Sequence, residues 1–250
     1  MRYFLRLAYD GTPFHGWQRQ PNAISVQQTI ENSLSQIYGQ SIEIVGAGRT
    51  DTGVHAKEMF AHFDSPIGID TGRLLKSLNN MVGRNIAIFD IIPVAPDAHA
   101  RFDATSRTYE YRVSLIKNPF NYAFTHRLVS MPDIEKMNEA ASILLDVDDF
   151  TSFAKLHTNT KTNICNVSFA KWDVCYDGSE IKFEIKADRF LRNMVRAIVG
   201  TLLDVGSDKL SIKAFQEIIE KKDRCAAGSS APANGLFLSK IEYPKDLFML

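Results

Sequence analysis

The chain reads as an α+β protein: two similar α/β halves sharing a mainly antiparallel central sheet, with helices on one face. Three observations predict it. Period-2 alternation marks strands in both halves, 3.6-residue apolar spacing marks helices between them, and strands and helices interleave twice along the chain. With 250 residues, 45% hydrophobic and 23% charged, the chain suits one large or two small domains and needs no disulfide or metal staple to fold. The pseudo-boundary falls near Asp103 and Ala104, giving an N-terminal half, 1–103, and a C-terminal half, 104–250.

Residues 2–9 alternate, with Tyr3, Leu5, Leu7 and Tyr9 on one face of a strand. A turn-rich aromatic loop follows through Asp10, Gly11, Phe14, His15, Gly16, Trp17, Arg19 and Pro21; its aromatic residues read as packing groups. Ser25, with Gln28 three residues later, makes a capping box for a helix that buries Val26, Ile30, Leu34 and Ile37, and Gly39 can end it. Short strands around 41–46 and 57–64 flank a glycine-bounded loop, Gly46 to His55. A helix over 71–81 uses Leu74, Leu75 and Leu78, and 86–92 is an apolar strand.

In the second half, residues 107–116 place Tyr109, Tyr111, Val113 and Leu115 on one strand face. A helix over 133–145 uses Ile134, Met137, Ala141 and Leu144. Strands follow near 163–175 and 180–187, then a long helix over 189–205, a helix over 212–221 with Ile212, Phe215 and Ile219, and a closing strand over 236–241.

Composition removes several function classes. Cys165, Cys175 and Cys225 are odd in number and lack Cys-x-x-Cys spacing, so neither a disulfide framework nor a zinc ribbon is indicated. The charged, alternating start and the lack of an 18-residue apolar run predict a cytoplasmic protein without a membrane segment. Lys and Arg number 29 and so do Asp and Glu; a nucleic-acid surface would have to come from local clustering.

Two segments carry candidate chemistry. The Gly46–His55 loop packs Arg49, Asp51 and His55 among three glycines, which can hold a carboxylate in an enforced position, although a plain tight turn with Asp51 as a backbone cap uses the same residues. It lacks the Gly-Lys-Ser/Thr of a P-loop and the third glycine of a dinucleotide fingerprint. His55 and His62 are seven apart with no cysteine pair, which disfavours a metal. On the helix predicted over 189–205, Arg189, Arg192 and Arg196 form one stripe opposite an apolar face, and Gly200 extends it as a place for close approach. Such a stripe is either a solvated face or a phosphate or carboxylate site. Arg101 and Phe102, and Arg107 with Tyr109, interleave cations and aromatic rings in the pattern single-stranded RNA recognition uses, although Tyr109 taken alone reads as a core tyrosine on a sheet face.

Five segments taken in order resemble the tRNA pseudouridine synthase A family: Tyr9 to Thr12 with Gly16 to Gln20, Gly48 to His55, His99 to Phe102 with Ser106 to Tyr109, Phe190 to Arg196, and Ala231 to Leu236. The resemblance spans nearly the whole chain, and the Gly-Arg-Thr-Asp-x-Gly-Val-His loop is its most specific part. It implies an active-site cleft between the halves, in which Asp51 is the catalytic aspartate, Tyr109 stacks on the target uracil, Arg196 pairs with the aspartate, and Arg49 helps open the RNA. Ala98, His99, Ala100, Arg101 and Phe102 match the RNA-binding segment, and Thr151, Ser152, Phe153, Ala154 and Lys155, running on to Leu156 and His157, match a stretch that touches tRNA. The implied reaction isomerises uridine at positions 38–40 of the tRNA anticodon stem-loop, uses no cofactor and no metal, and is carried out by a homodimer. A catalytically silent tRNA-binding module of the same fold, and a hydrolase using Asp51 and His55, are the competing readings.

Overall fold

A computed structural model describes residues 1–155, 161–175 and 178–248. The architecture is mixed α/β with mainly antiparallel strands, and the chain divides into two compact units: Met1–Thr105 with Leu238–Leu250, and Ser106–Phe237. The last strand therefore starts in the second unit and continues in the first.

The first unit runs β1 (Arg2–Tyr9), α1 (Val26–Tyr38), β2 (Val45–Gly46), β3 (His55–Asp64), α2 (Thr71–Met81) and β4 (Ile86–Pro93). β1 lies between β4 and β3, antiparallel to both. That central place buries one face wholly, through Tyr3, Leu5, Leu7 and Tyr9, and on the other face buries Phe4, whose ring meets Phe60, His62, Tyr243 and Phe248. Register shifts near Leu7 against both neighbours twist the end of β1 just before Asp10. Ser25 Oγ accepts the Gln28 N–H at 3.3 Å, and Gly39 ends α1 at φ 68°. Asp70 caps α2 in the same way. The Asn79 amide clamps Ile88 N–H and C=O, at 2.9 Å each, docking α2 on β4. Only Val45–Gly46 forms the first of the two short strands expected around the loop. Ile44 instead points its N–H at the Glu31 carboxylate.

The second unit runs β5 (Ser106–Ser114), β6 (His126–Arg127), α3 (Ile134–Ser142), β7 (Val167–Cys175), β8 (Glu180–Ala187), α4 (Met194–Gly206), α5 (Ile212–Lys221) and the start of β9 (Leu236–Glu242). β8 pairs antiparallel with β5 and β7, and β6 joins β5 in parallel. Tyr111, Phe183, Ile185 and Trp172 are buried with α3 residues Met137, Ala140 and Ala141. The helix expected to end at 145 becomes a 3-10 turn, Ile143–Leu145.

The long helix over 189–205 is shorter than its periodicity predicts. It begins at Met194, because Asn193 sits in the left-handed region at φ 66°. The Asp188 carboxylate takes the N–H groups of Asn166 and Arg189 at 2.8 and 2.7 Å, and Met194 N–H bonds Leu191 C=O in a turn. Arg189 and Arg192 therefore precede the helix and do not share a helical stripe with Arg196. Gly200 does permit a close approach, but by the chain itself, since a β-carbon there would run into Ser229 O.

Candidate active site

The Gly46–His55 loop is fixed by being zipped against the aromatic loop that follows β1. Gly11, Gly16 and Gly46 have no room for a β-carbon: Val54 O, Thr50 O and the Trp17 ring respectively occupy the space. Gly16 and Gly53 also adopt positive φ, 85° and 77°, which other L-residues rarely tolerate. Gly53 N–H donates to Phe14 C=O at 3.3 Å, Val54 N–H to Asp51 C=O at 3.1 Å, and the Tyr9 hydroxyl lies 2.9 Å from Thr50 Oγ1. Trp17 and Phe14 are buried, so the aromatic residues of this loop pack, whereas His15 is exposed.

His55, 1% exposed, accepts the Gly11 N–H on Nδ1 at 3.0 Å, with Asp10 Oδ1 3.2 Å from the same nitrogen. It is a tie between the two loops, buried too deeply to meet a substrate, which weighs against the hydrolase reading. Ahead of the loop, Glu31 Oε1 accepts from Ile44 N–H at 3.1 Å and from the Gln27 amide at 3.0 Å. Within this frame Asp51 is half-buried and Arg49 exposed, its Nε donating to Gln18 Oε1 at 3.1 Å.

Residues 98–103 form a tight turn that presents two side chains. Ala98 and Ala100 are buried, while Arg101 and Phe102 are exposed, Phe102 by 74%. His99 shapes the turn from within: its Nδ1 accepts Arg101 N–H at 3.1 Å and Phe102 N–H at 3.3 Å, and its ring lies 4.3 Å from that of Phe102. The Arg101 guanidinium sits 5.6 Å above the same ring. Three outside groups hold the turn: Arg2 donates to Ala98 C=O, His62 Nδ1 accepts Ala100 N–H at 3.1 Å, and the Tyr243 hydroxyl donates to Ala100 C=O at 2.5 Å.

In the second unit Tyr109 stands half-buried on β5, opposite Ile185 on β8, with its ring edge-on to Phe190 at 5.1 Å. Arg196 occupies the first turn of α4. Its Nε donates to Ala231 C=O at 2.7 Å, and Ala231 N–H returns a bond to Arg196 C=O at 2.9 Å. The neighbouring Tyr111 is fully buried and its hydroxyl donates to Pro232 C=O; burial pushes its pKa up.

The stretch from Thr151 is mostly core. Ser152 Oγ donates to Ile218 C=O at 2.6 Å and accepts Asp223 N–H, Phe153 packs on Phe150 and Phe215, and Ala154 is buried. Thr151 is half-buried against Asp149, and Lys155 is exposed, its N–H donating to Arg192 C=O. Leu156 and His157 lie outside the described residues. No cluster of His, Cys, Asp and Glu suited to a metal occurs among the described residues.

The comparisons with known proteins cover both units. A family model described as tRNA pseudouridine synthase matches residues 140–244. The chain is 53% identical over 249 residues to tRNA pseudouridine synthase A of Bacteroides thetaiotaomicron, covering 99% of this chain and 92% of that protein. It is 38% identical over 247 residues to the protein of the same name from Acetivibrio thermocellus, covering 96% and 98%. The chain belongs to the tRNA pseudouridine synthase A family.

The 140–244 match takes in Arg196 and Ala231, whereas Asp51 and Tyr109 lie outside it and within the span of the full-length members of the tRNA pseudouridine synthase A family. Sequence reasoning found the loop and the turn but missed the groups that hold them: Glu31, His62 and Tyr243. A buried histidine or glutamate that accepts backbone N–H groups leaves no signal in the sequence.

Proposed function

We propose that this chain isomerises uridine to pseudouridine in tRNA, at positions 38–40 of the anticodon stem-loop, without a cofactor, as a homodimer in the cytoplasm. The observation that carries the proposal is the Gly46–His55 loop. In a chain with full-length relatives named tRNA pseudouridine synthase A, three glycine contacts and a buried histidine hold Asp51 in a half-buried place.

The reaction breaks N1–C1′, turns the uracil while it stays bound, and joins C5 to C1′. It needs a carboxylate near the reacting carbons, a flat surface that keeps the freed base stacked, and a counter-charge that keeps the carboxylate ionised. Asp51 is the carboxylate, acting as nucleophile or as base; Tyr109 is the stacking surface, and Arg196 the counter-charge. Arg49 helps open the RNA, because a uridine in a helix must leave the stack, at a cost of a few kcal/mol recovered in stacking and phosphate contacts. In the turn at 98–102, Arg101, Phe102 and His99 carry the RNA contact, with Ala98 and Ala100 supplying its buried backbone. From the stretch after Thr151, Lys155 is the exposed cation, with Ser152, Phe153 and Ala154 placing it.

The test is release of tritium from tRNA labelled at uridine C5, since that hydrogen leaves only when C5 bonds the sugar. Asp51→Asn is expected to abolish release while leaving tRNA affinity and folding near wild type. Binding without release by the unaltered chain would identify a silent RNA-binding module, and free uracil a hydrolase.

A further inference from the structure

We propose that Ser230, with the Arg224 and Asn193 side chains that bind it, is a positioning residue for Arg196. The proposal rests on the role given to Arg196 above. Arg196 is bonded through both its side chain and its backbone to Ala231, so the direction of its guanidinium follows wherever the Ala231 carbonyl is held. An arginine stem has several rotatable bonds, and one donor pinned to a fixed carbonyl removes much of that freedom.

The segment 228–231 is strapped to α4 and its N-cap. Gly228 N–H donates to Thr201 Oγ1 at 3.1 Å, and Ser229 C=O lies hard against Gly200, where only glycine fits. Ser230 Oγ then accepts from Asn193 Nδ2 at 2.7 Å and from Arg224 Nη2 at 2.9 Å, while Arg224 Nη1 donates to Gly228 C=O at 3.2 Å. Asn193 is the left-handed residue that starts α4. One hydroxyl thus couples the start of the helix that bears Arg196 to the strap that carries its acceptor. Two donors converge on an uncharged serine one residue before Ala231. An anchor of that kind sets the direction of a neighbouring group, and misplacement of a reacting group by about 1 Å can cost on the order of a hundredfold in rate.

The experiment measures tritium release by the full-length protein on tRNA for Ser230→Ala, Ser230→Thr and Arg196→Lys, and for Ser230→Ala combined with Arg196→Lys, with thermal unfolding of each. In Ser230→Ala, kcat is expected to fall by roughly ten- to a hundredfold with KM unchanged. Ser230→Thr, which keeps the hydroxyl, restores kcat. On the Arg196→Lys background Ser230→Ala costs much less than it does alone, because residues acting through one group are not additive. Wild-type kcat in Ser230→Ala, or its full loss repeated on the Arg196→Lys background, overturns the proposal. Arg196→Gln is measured alongside, and wild-type turnover in it would instead remove the role given to Arg196, and the proposal with it.

Discussion

His62 shows at the scale of one residue how a buried group can support the turn at 98–102, proposed to meet RNA, and leave a measurable trace. It is 6% exposed, and burial, followed by the positive charge of Arg2 and the neighbouring His99, lowers its pKa to about 4. In the folded protein it is therefore neutral at pH 7, as an acceptor for Ala100 N–H must be. The unfolded chain, with an ordinary histidine near 6.5, binds the proton first as pH falls, so stability is complete above about 6.5 and is lost as pH drops toward 4. Over the whole window that loss is about 3 kcal/mol. His62→Asn keeps an oxygen acceptor but cannot titrate. Denaturant unfolding at pH 7 and pH 4.5 should show a much smaller difference for the variant than for the wild type, and equal differences would remove His62 as the source. His99, whose pKa is also lowered, first by burial, adds in the same direction.

At the scale of elements, what holds Asp51 is the meeting of two loops. Gly11→Ala would put a methyl into the Val54 carbonyl, a backbone atom that can yield only if the loop moves. The substitution is expected to destabilise by about 1–3 kcal/mol and to lower turnover more than tRNA affinity. Tritium release and a binding titration on the same preparation separate the two effects, and equal losses in both would show that the loop contact serves binding alone. Sequence reading located these loops from glycine and aromatic content, and it found β1, α1, α2, β8 and α5 because alternation, Ser25, Gly39 and apolar spacing are local signals. It could not see that Arg189 and Arg192 leave the helix. Their periodicity with Arg196 is real, yet the Asp188 carboxylate and the left-handed Asn193 redirect the backbone. Nor could it separate Phe153 from Phe102. Both are aromatic residues near cations, and only tertiary packing makes one core and leaves the other 74% exposed.

For the molecule as a whole, equal numbers of cationic and anionic side chains, 29 each, set a condition on binding a polyanion. Many of the acids are matched with cations: Arg2 with Asp64, Arg6 with Asp90, Lys136 with Asp208, Lys222 with Asp149 and Lys240 with Glu242. In the segments proposed to meet RNA, Arg49 donates to the neutral Gln18 amide, Arg101 is exposed beside the Phe102 ring, and Lys155 is exposed. Zero net charge can then coexist with a phosphate-binding surface, because attraction depends on local charge within a screening length of about 10 Å at 0.1 M salt. Binding to tRNA should weaken steeply with salt, with log affinity falling by about 0.7–0.9 per phosphate contact for each tenfold rise in salt concentration. Arg101→Gln and Lys155→Gln should each reduce that slope by about one contact and weaken all accepted tRNAs alike. Fluorescence anisotropy of a labelled anticodon stem-loop across a salt series measures it. If the slope of Arg101→Gln equals that of the wild type, the turn at 98–102 does not touch phosphate, and Phe102 must then bind by stacking alone.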